Sequence, residues 1–186
     1  PTVGDVAGNA DLLRKARSEA AGQGADLVLT SELVLAGYAP EDLVLKPAFV
    51  RRCMEAAKAL AGETADGGPA LIVGTPWKGE DGRVYNAAVL LDQGEVKAVR
   101  YKYDLPNYGV FDEKRVFAAG PLPGPVDFRG VRIGLPVCED IWNDEVCECL
   151  EETGAELLLV PNGSPYWENR AEERLQVVVS RVVQTG

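Results

Sequence analysis

Short apolar blocks recur along the chain with two different periods, and together they predict an alternation of helices and strands. The stretch ADLLRKARSEAAGQG follows Asn9, a candidate N-cap, places Leu12, Leu13, Ala16 and Ala20 on one helical face, and runs out in glycines. DLVLTSE is short, apolar and β-branched, which predicts a buried strand with Glu32 just past its carboxyl end. A helix is expected from about Pro47, then ALIVGT as a second strand. From Val84 to Tyr101 two alternating runs flank Gln93-Gly94, the pattern of a hairpin, and Lys102 stands where its second strand ends. The proline- and glycine-rich segment KYDLPNYGVFDEKRVFAAGPLPGP reads as a long ordered loop, and loops of that length inside a compact domain are usually functional. VRIGLPV resumes as a strand with Cys138 at its end. Glu139 and Asp140 read as the first turn of a helix running towards Gly154. ELLLVPN is the next strand, then a loop through GSPYW and a helix from about Glu168 to Val183.

This order predicts an α/β layered fold with a mixed sheet. Glu32, Lys102 and Cys138 all fall just past strand ends, where ligands gather in open α/β sheets, so the three side chains are expected to share one pocket.

Composition narrows the classes. At 186 residues the chain is long enough for one substantial core, burying roughly 70% of its unfolded surface. No run approaches the roughly 20 apolar residues of a membrane span and PTVGDVAGNADLLRK lacks signal-peptide order, so a cytoplasmic protein with no membrane partner is expected. A formal charge of -10 with scattered Lys and Arg argues against nucleic acid. Cys53, Cys138, Cys147 and Cys149 have neither paired spacing nor histidines, so neither a metal site nor a disulfide framework is expected.

The absence of histidine shapes the chemistry. A nucleophilic cysteine usually gives its proton to a histidine, and this chain has none. A cysteine between a strand and a helix can instead draw on the helix N-terminus and a nearby cation while a carboxylate relays the proton, and Lys102 and Glu32 supply those types. Attack on an amide carbonyl creates an oxyanion that an ammonium and a backbone N–H can hold, so the set suits amide hydrolysis through a thioester. Taken singly, Cys138 is a buried structural thiol, Glu32 a solvated acid and Lys102 a surface lysine. Those single-residue readings yield only to the family resemblance of the surrounding motifs.

The glutamate of TSELVLAGYAPEDL, the lysine of RYKYDLPNYGVFDEKRVF and the cysteine of LPVCEDIW resemble, in that order, the Glu-Lys-Cys triad of the nitrilase superfamily, the carbon-nitrogen hydrolases. More narrowly, GYAPEDL, LPNYGVFDEKRVF, VCEDIW and NGSPY resemble the glutaminase domains of glutamine-dependent NAD(+) synthetases. The resemblance implies a nitrilase-like α-β-β-α sandwich, incomplete at both ends, with residues 1–186 forming a partial glutaminase domain and the synthetase domain lying outside this chain. It implies Cys138 as nucleophile, Glu32 as general base and acid, Lys102 as stabiliser of the tetrahedral intermediate and Glu113 as a supporting acid. Tyr108, Ser164 and Arg170 are expected to hold L-glutamine, with Glu139 and Trp142 beside it. Arg170 suits the α-carboxylate; Tyr108 and Ser164 also read as loop packing and turn chemistry. No cofactor is expected in this chain; ATP, Mg and deamido-NAD belong to the expected synthetase domain. A homo-oligomer is expected by the same resemblance. Two other functions fit: a stand-alone amidase acting on another small amide, and a non-catalytic interaction domain.

Overall fold

The computed structural model describes all residues of the chain except 166, 167 and 169. Helix α1 spans Val6–Gly22 and is capped by Asp5, whose carboxylate accepts the Gly8 N–H at 3.0 Å. Asn9 is therefore not the cap. It lies a turn inside the helix, buried, with its side chain bonded to the Thr2 backbone and the Leu35 carbonyl. Those bonds turn the stripe of Val6, Ala10 and Leu13 inward, and Leu12 and Ala16 face solvent instead of forming the predicted core face.

Strands β1 (Leu27–Leu29), β2 (Ala70–Lys78), β3 (Val84–Asp92) and β4 (Glu95–Tyr101) form one sheet in that order. β1 runs parallel to β2, and the other pairs are antiparallel. The predicted hairpin turns at Gln93 (φ 52°) and Gly94 (φ 84°), both left-handed, as a two-residue turn matching the strand twist requires. β1 is an edge strand with Leu29 exposed, so DLVLTSE is only half-buried. A second sheet holds β5 (Val126–Phe128), β6 (Val131–Gly134) and β7 (Leu157–Leu158). β5, too short to show in the pattern, pairs antiparallel with β6, and β6 pairs parallel with β7. The predicted strands VRIGLPV and ELLLVPN are cut to four and two residues, because pairing stops at Gly134 and Leu158.

Helix α2 covers Pro47–Glu63, with proline in its first turn, and α3 (Glu113–Val116) is a single turn inside the long loop. The helix expected from Glu139 divides. Cys138–Ile141 is a 3₁₀ turn, and α4 (Asp144–Glu152) starts afresh after Asn143, whose extended backbone breaks the run. Helix α5 covers Arg170–Thr185.

The layers are α-β-β-α. Leu13 of α1 and Ala57 and Leu60 of α2 pack on Leu71, Val73, Val89 and Leu91 of the first sheet. The opposite face of that sheet, with Ile72 and Leu90, meets Val126, Phe128, Ile133 and Leu135 of the second. Each fully buried Leu or Ile contributes about 1.5–3 kcal/mol relative to exposure. On the far side α4 buries Val146, Cys147 and Leu150; a Cβ on Gly134 would lie 2.5 Å from Leu158 and 3.0 Å from Leu150, so only glycine admits this approach. A third cluster matters most for chemistry: Leu33, Ala36 and Val44 after β1 pack with Leu105 and Phe117 of the long loop. It clamps together the two segments that follow Glu32 and Lys102.

Candidate active site

Glu32 stands in the irregular segment after β1. The next residue, Leu33, is left-handed at φ 50°, and the segment crosses Gly74 of β2 so closely that a Cβ there would lie 2.4 Å from the Ser31 carbonyl. The crossing turns the Glu32 side chain inward, where it is 1% exposed. Lys102, also 1% exposed, donates from Nζ to Glu32 Oε1 at 2.7 Å and to Glu113 Oε1 at 3.0 Å. Glu113 is held there by α3, whose first amide bonds the Pro106 carbonyl at 3.1 Å. An ammonium has three N–H donors, and two are spent on these carboxylates.

Cys138 is 3% exposed and takes φ 48°, a left-handed conformation that costs a residue with a Cβ roughly 1–2 kcal/mol. Such strain clusters at functional sites. Its N–H donates to the Pro161 carbonyl at 3.0 Å and its Sγ lies 3.6 Å from Asn162 Oδ1. The same loop reaches Glu32, whose N–H donates to the Asn162 carbonyl at 3.4 Å. A Cβ on Gly163 would sit 2.8 Å from Glu32 Oε2 and 3.1 Å from the Tyr38 ring.

The charges of these groups act on one another. Burial pushes the Cys138 thiol up to about 12 and the Glu32 charge pushes the same way, while Lys102 and the Gly163 N–H pull it down. Cys138 is therefore a neutral thiol at neutral pH. Burial disfavours the Lys102 charge, but Glu32, Glu113 and Cys138 more than offset it, and the ammonium is held above the ordinary lysine range. Burial raises Glu113, opposed by Lys102 and by a hydrogen bond from Asn86. The Tyr38 hydroxyl, raised chiefly by burial and then by the charges of Glu32 and Glu113, stays protonated.

The structure brings Glu32, Lys102, Glu113 and Cys138 into one charge-coupled cluster. Tyr108, 46% exposed, and Glu139 meet at the surface, the tyrosine hydroxyl donating to both carboxylate oxygens at 2.9 and 3.0 Å. Trp142, half-buried, closes the 3₁₀ turn by donating its N–H to the Glu139 carbonyl. Ser164 donates its N–H to Asn162 Oδ1 at 2.6 Å, so its backbone serves the turn that its sequence also suggests. Arg170 opens α5, and its side chain lies outside the described residues. A cleft of about 430 Å³ adjoins the cluster, walled by Tyr38, Phe111, Glu113, Arg115 and Pro165.

Four residues complete this arrangement that the sequence did not mark as site residues. Asn86 donates to Glu32 from the middle of β3 at 2.8 Å, Asn162 braces the thiol, and Tyr38 walls the cleft. Asp140, fully buried, accepts the N–H groups of Tyr103 (3.0 Å), Asp104 (2.8 Å) and Val137 (2.8 Å), tying the chain after Lys102 to the chain before Cys138. Burial pushes its carboxyl up to about 7 against the pull of those donors. A signal existed for two of them: Asn86 interrupts the apolar run VYNAAVLLD, and Asp140 follows the nucleophile by two residues.

Comparison with known proteins settles the family. The carbon-nitrogen hydrolase family model matches residues 1–182. The chain belongs to the carbon-nitrogen hydrolases. It is 47% identical over its full length to the glutamine-dependent NAD(+) synthetase of Rhodobacter capsulatus, of which it covers 33%. Among solved structures it is similar to the glutamine-dependent NAD(+) synthetase of Acinetobacter baumannii, with a TM-score of 0.92, 33% identity, and coverage of 100% of this chain and 35% of that one. It is also similar to the amidase of Nesterenkonia sp. AN1, solved as a mutant with the acetamide moiety of fluoroacetamide added covalently at its active-site cysteine, with a TM-score of 0.84, 31% identity and coverage of 99% and 68%. The chain thus spans about a third of the length of the synthetases it matches. These likenesses agree with the nitrilase-like sandwich expected from the motifs.

Proposed function

We propose that this carbon-nitrogen hydrolase domain hydrolyses L-glutamine to glutamate and ammonia through a Cys138 thioester, and supplies the ammonia to a synthetase domain for NAD(+) formation. The single observation that carries the chemistry is the buried Glu32-Lys102-Glu113 cluster beside a cysteine held in a left-handed backbone conformation. With the thiol neutral, attack on the amide carbonyl must be concerted with proton transfer to Glu32. The third N–H of Lys102 is the charged donor for the oxyanion. The Cys138 N–H is spent on Pro161, so the backbone donor falls to Glu139, next in the turn. Glu32 then returns its proton to the departing ammonia, and water repeats the sequence on the thioester.

The amidase likeness supports the cysteine as the attacked centre, and the synthetase likeness supports glutamine as the amide. Glutamine would enter by the cleft beside Glu113; Tyr108, Glu139, Trp142, Ser164 and Arg170, none of them among the described residues that line that cleft, are proposed as its contacts from the motif resemblance alone. ATP, Mg and deamido-NAD would be bound by a synthetase domain, a reading supported by the likeness to glutamine-dependent NAD(+) synthetases. The compartment we infer is the cytoplasm, in keeping with four free cysteines; among the described residues no helix is long and apolar enough to cross a membrane.

The test is substrate choice. Ammonia release from glutamine should exceed that from acetamide, propionamide and asparagine by at least about tenfold in kcat/KM, the size of a single charge-assisted contact of about 1.5–3 kcal/mol. Equal turnover of simple aliphatic amides would favour the stand-alone amidase reading.

A further inference from the structure

Asn86 lies in the middle of β3 opposite Pro76 and is 0% exposed. A fully buried amide side chain is costly unless its hydrogen bonds serve something. Its Nδ2 donates to Glu32 Oε1 at 2.8 Å and reaches Glu113 Oε2 at 3.4 Å, and its backbone carbonyl accepts the Lys102 backbone N–H at 2.8 Å. One uncharged side chain thus touches both carboxylates of the cluster, and its main chain holds the backbone of the residue that carries the ammonium.

The consequence falls on Glu32. Its Oε1 accepts from both Asn86 and Lys102, whereas its Oε2, equally buried, has no hydrogen-bond partner among the described residues. Oε2 lies against Gly163, in the loop that also braces the Cys138 sulfur through Asn162. Were the two donors shared between the oxygens, neither would be a free acceptor on the thiol side.

We propose that Asn86 is a positioning residue: by occupying Oε1 together with Lys102, it fixes Oε2 as the one Glu32 atom that carries the proton between the Cys138 thiol and the leaving amine. This rests on the amide-hydrolysis reading. In the first half-step the S–H bond breaks and the O–H bond forms at Oε2 while sulfur bonds the carbonyl carbon, whose π pair moves to oxygen. In the second that pair returns, the C–N bond breaks, and the nitrogen takes the proton from Oε2 as it leaves as ammonia. Asn86 does this without adding charge; a cation in its place would bring a second positive group to a cluster in which Glu32, one of its two carboxylates, must accept a proton.

The experiment compares Asn86→Leu and Asn86→Ser with the unaltered complete enzyme. Leu keeps the volume and removes both side-chain donors, while Ser keeps a single shorter one. Expected for Asn86→Leu is a fall in kcat on the order of 10 to 100-fold with KM changed less than about threefold, because the loss is felt in the transition state. The acidic limb of the kcat/KM pH profile should also move to higher pH, since a bond that favours ionised Glu113 has gone. Asn86→Ser should fall between. A folded variant of either kind with unaltered kcat and pH profile overturns the proposal, and a proportional change in KM alone would make Asn86 a binding residue instead. Should Asn86→Leu not fold, Asn86→Ser carries the same comparison. A separate arm follows the pH dependence of Cys138 alkylation by iodoacetamide, read by mass spectrometry, which needs no substrate. If glutamine proves not to be the amide, this arm must still differ between Asn86→Ser and the unaltered protein, and identical profiles contradict the positioning role.

Discussion

At the scale of single residues, the thiol of Cys138 and its two charged neighbours make a prediction that activity alone could not. The Glu32 charge raises the thiol and the Lys102 charge lowers it. Removing the carboxylate in Glu32→Gln should therefore bring the Cys138 titration to lower pH, making the cysteine more readily ionised while hydrolysis falls on the order of 100 to 10,000-fold with the loss of the general base. Lys102→Met should move the titration the opposite way and also suppress kcat. Site-resolved alkylation across pH checks both, and a Glu32→Gln titration that rises or stays put would show that the carboxylate does not face the thiol. That Glu32, Lys102 and Cys138 come together was legible in sequence because each follows a predicted strand and sits in a motif resembling the carbon-nitrogen hydrolases. Its helpers Asn86 and Asn162 were not, since a lone polar residue in a strand or turn gains meaning only from what the fold sets opposite it.

At the scale of elements, the hairpin, α2 and the long loop matched their patterns because each carries strong local signals: left-handed turn residues, an N-terminal proline, and dense Pro and Gly. The misses have one cause. In the second sheet the strands are two to four residues long, and their apolar runs continue past the end of pairing to fill the space between sheets, as Leu135 and Val137 do. The split after Cys138 likewise reflects tertiary demand: Glu139 and Asp140 do lie in a helical first turn, but it is a 3₁₀ turn in which Asp140 faces inward to accept three amides, and the α-helix starts only at Asp144. Asp140→Ala would strand those buried donors at about 1–3 kcal/mol each. At about 2–4 °C per kcal/mol for a chain of this size, the thermal midpoint should fall by on the order of 10 °C. kcat should fall as well, because both Lys102 and Cys138 lose their tether. Calorimetry showing a midpoint within about 2 °C of the unaltered protein would contradict this.

At the scale of the whole molecule, an apolar stripe stands open among the described residues. Leu175, Val178, Val179, Val182 and Val183 follow the helical spacing along α5, and they are 47 to 78% exposed. Beside them β7 is the edge of its sheet, with Leu157 also exposed. Contiguous apolar surface of this kind marks an interaction face, so the isolated chain should self-associate with rising concentration despite its charge of -10. Val179→Lys combined with Val182→Glu should return it towards a monomer in light scattering; a monomer at all concentrations before substitution would refute the inference. The central claim is nearer the core, that Cys138 generates ammonia for a separate amidation. The most direct measurement is NAD(+) formation by the full-length protein carrying Cys138→Ala, assayed in parallel with glutamine and with ammonium as nitrogen donor. Glutamine-driven synthesis should disappear while ammonium-driven synthesis stays within about twofold of the unaltered enzyme; glutamine-driven synthesis that survives the substitution would contradict the account.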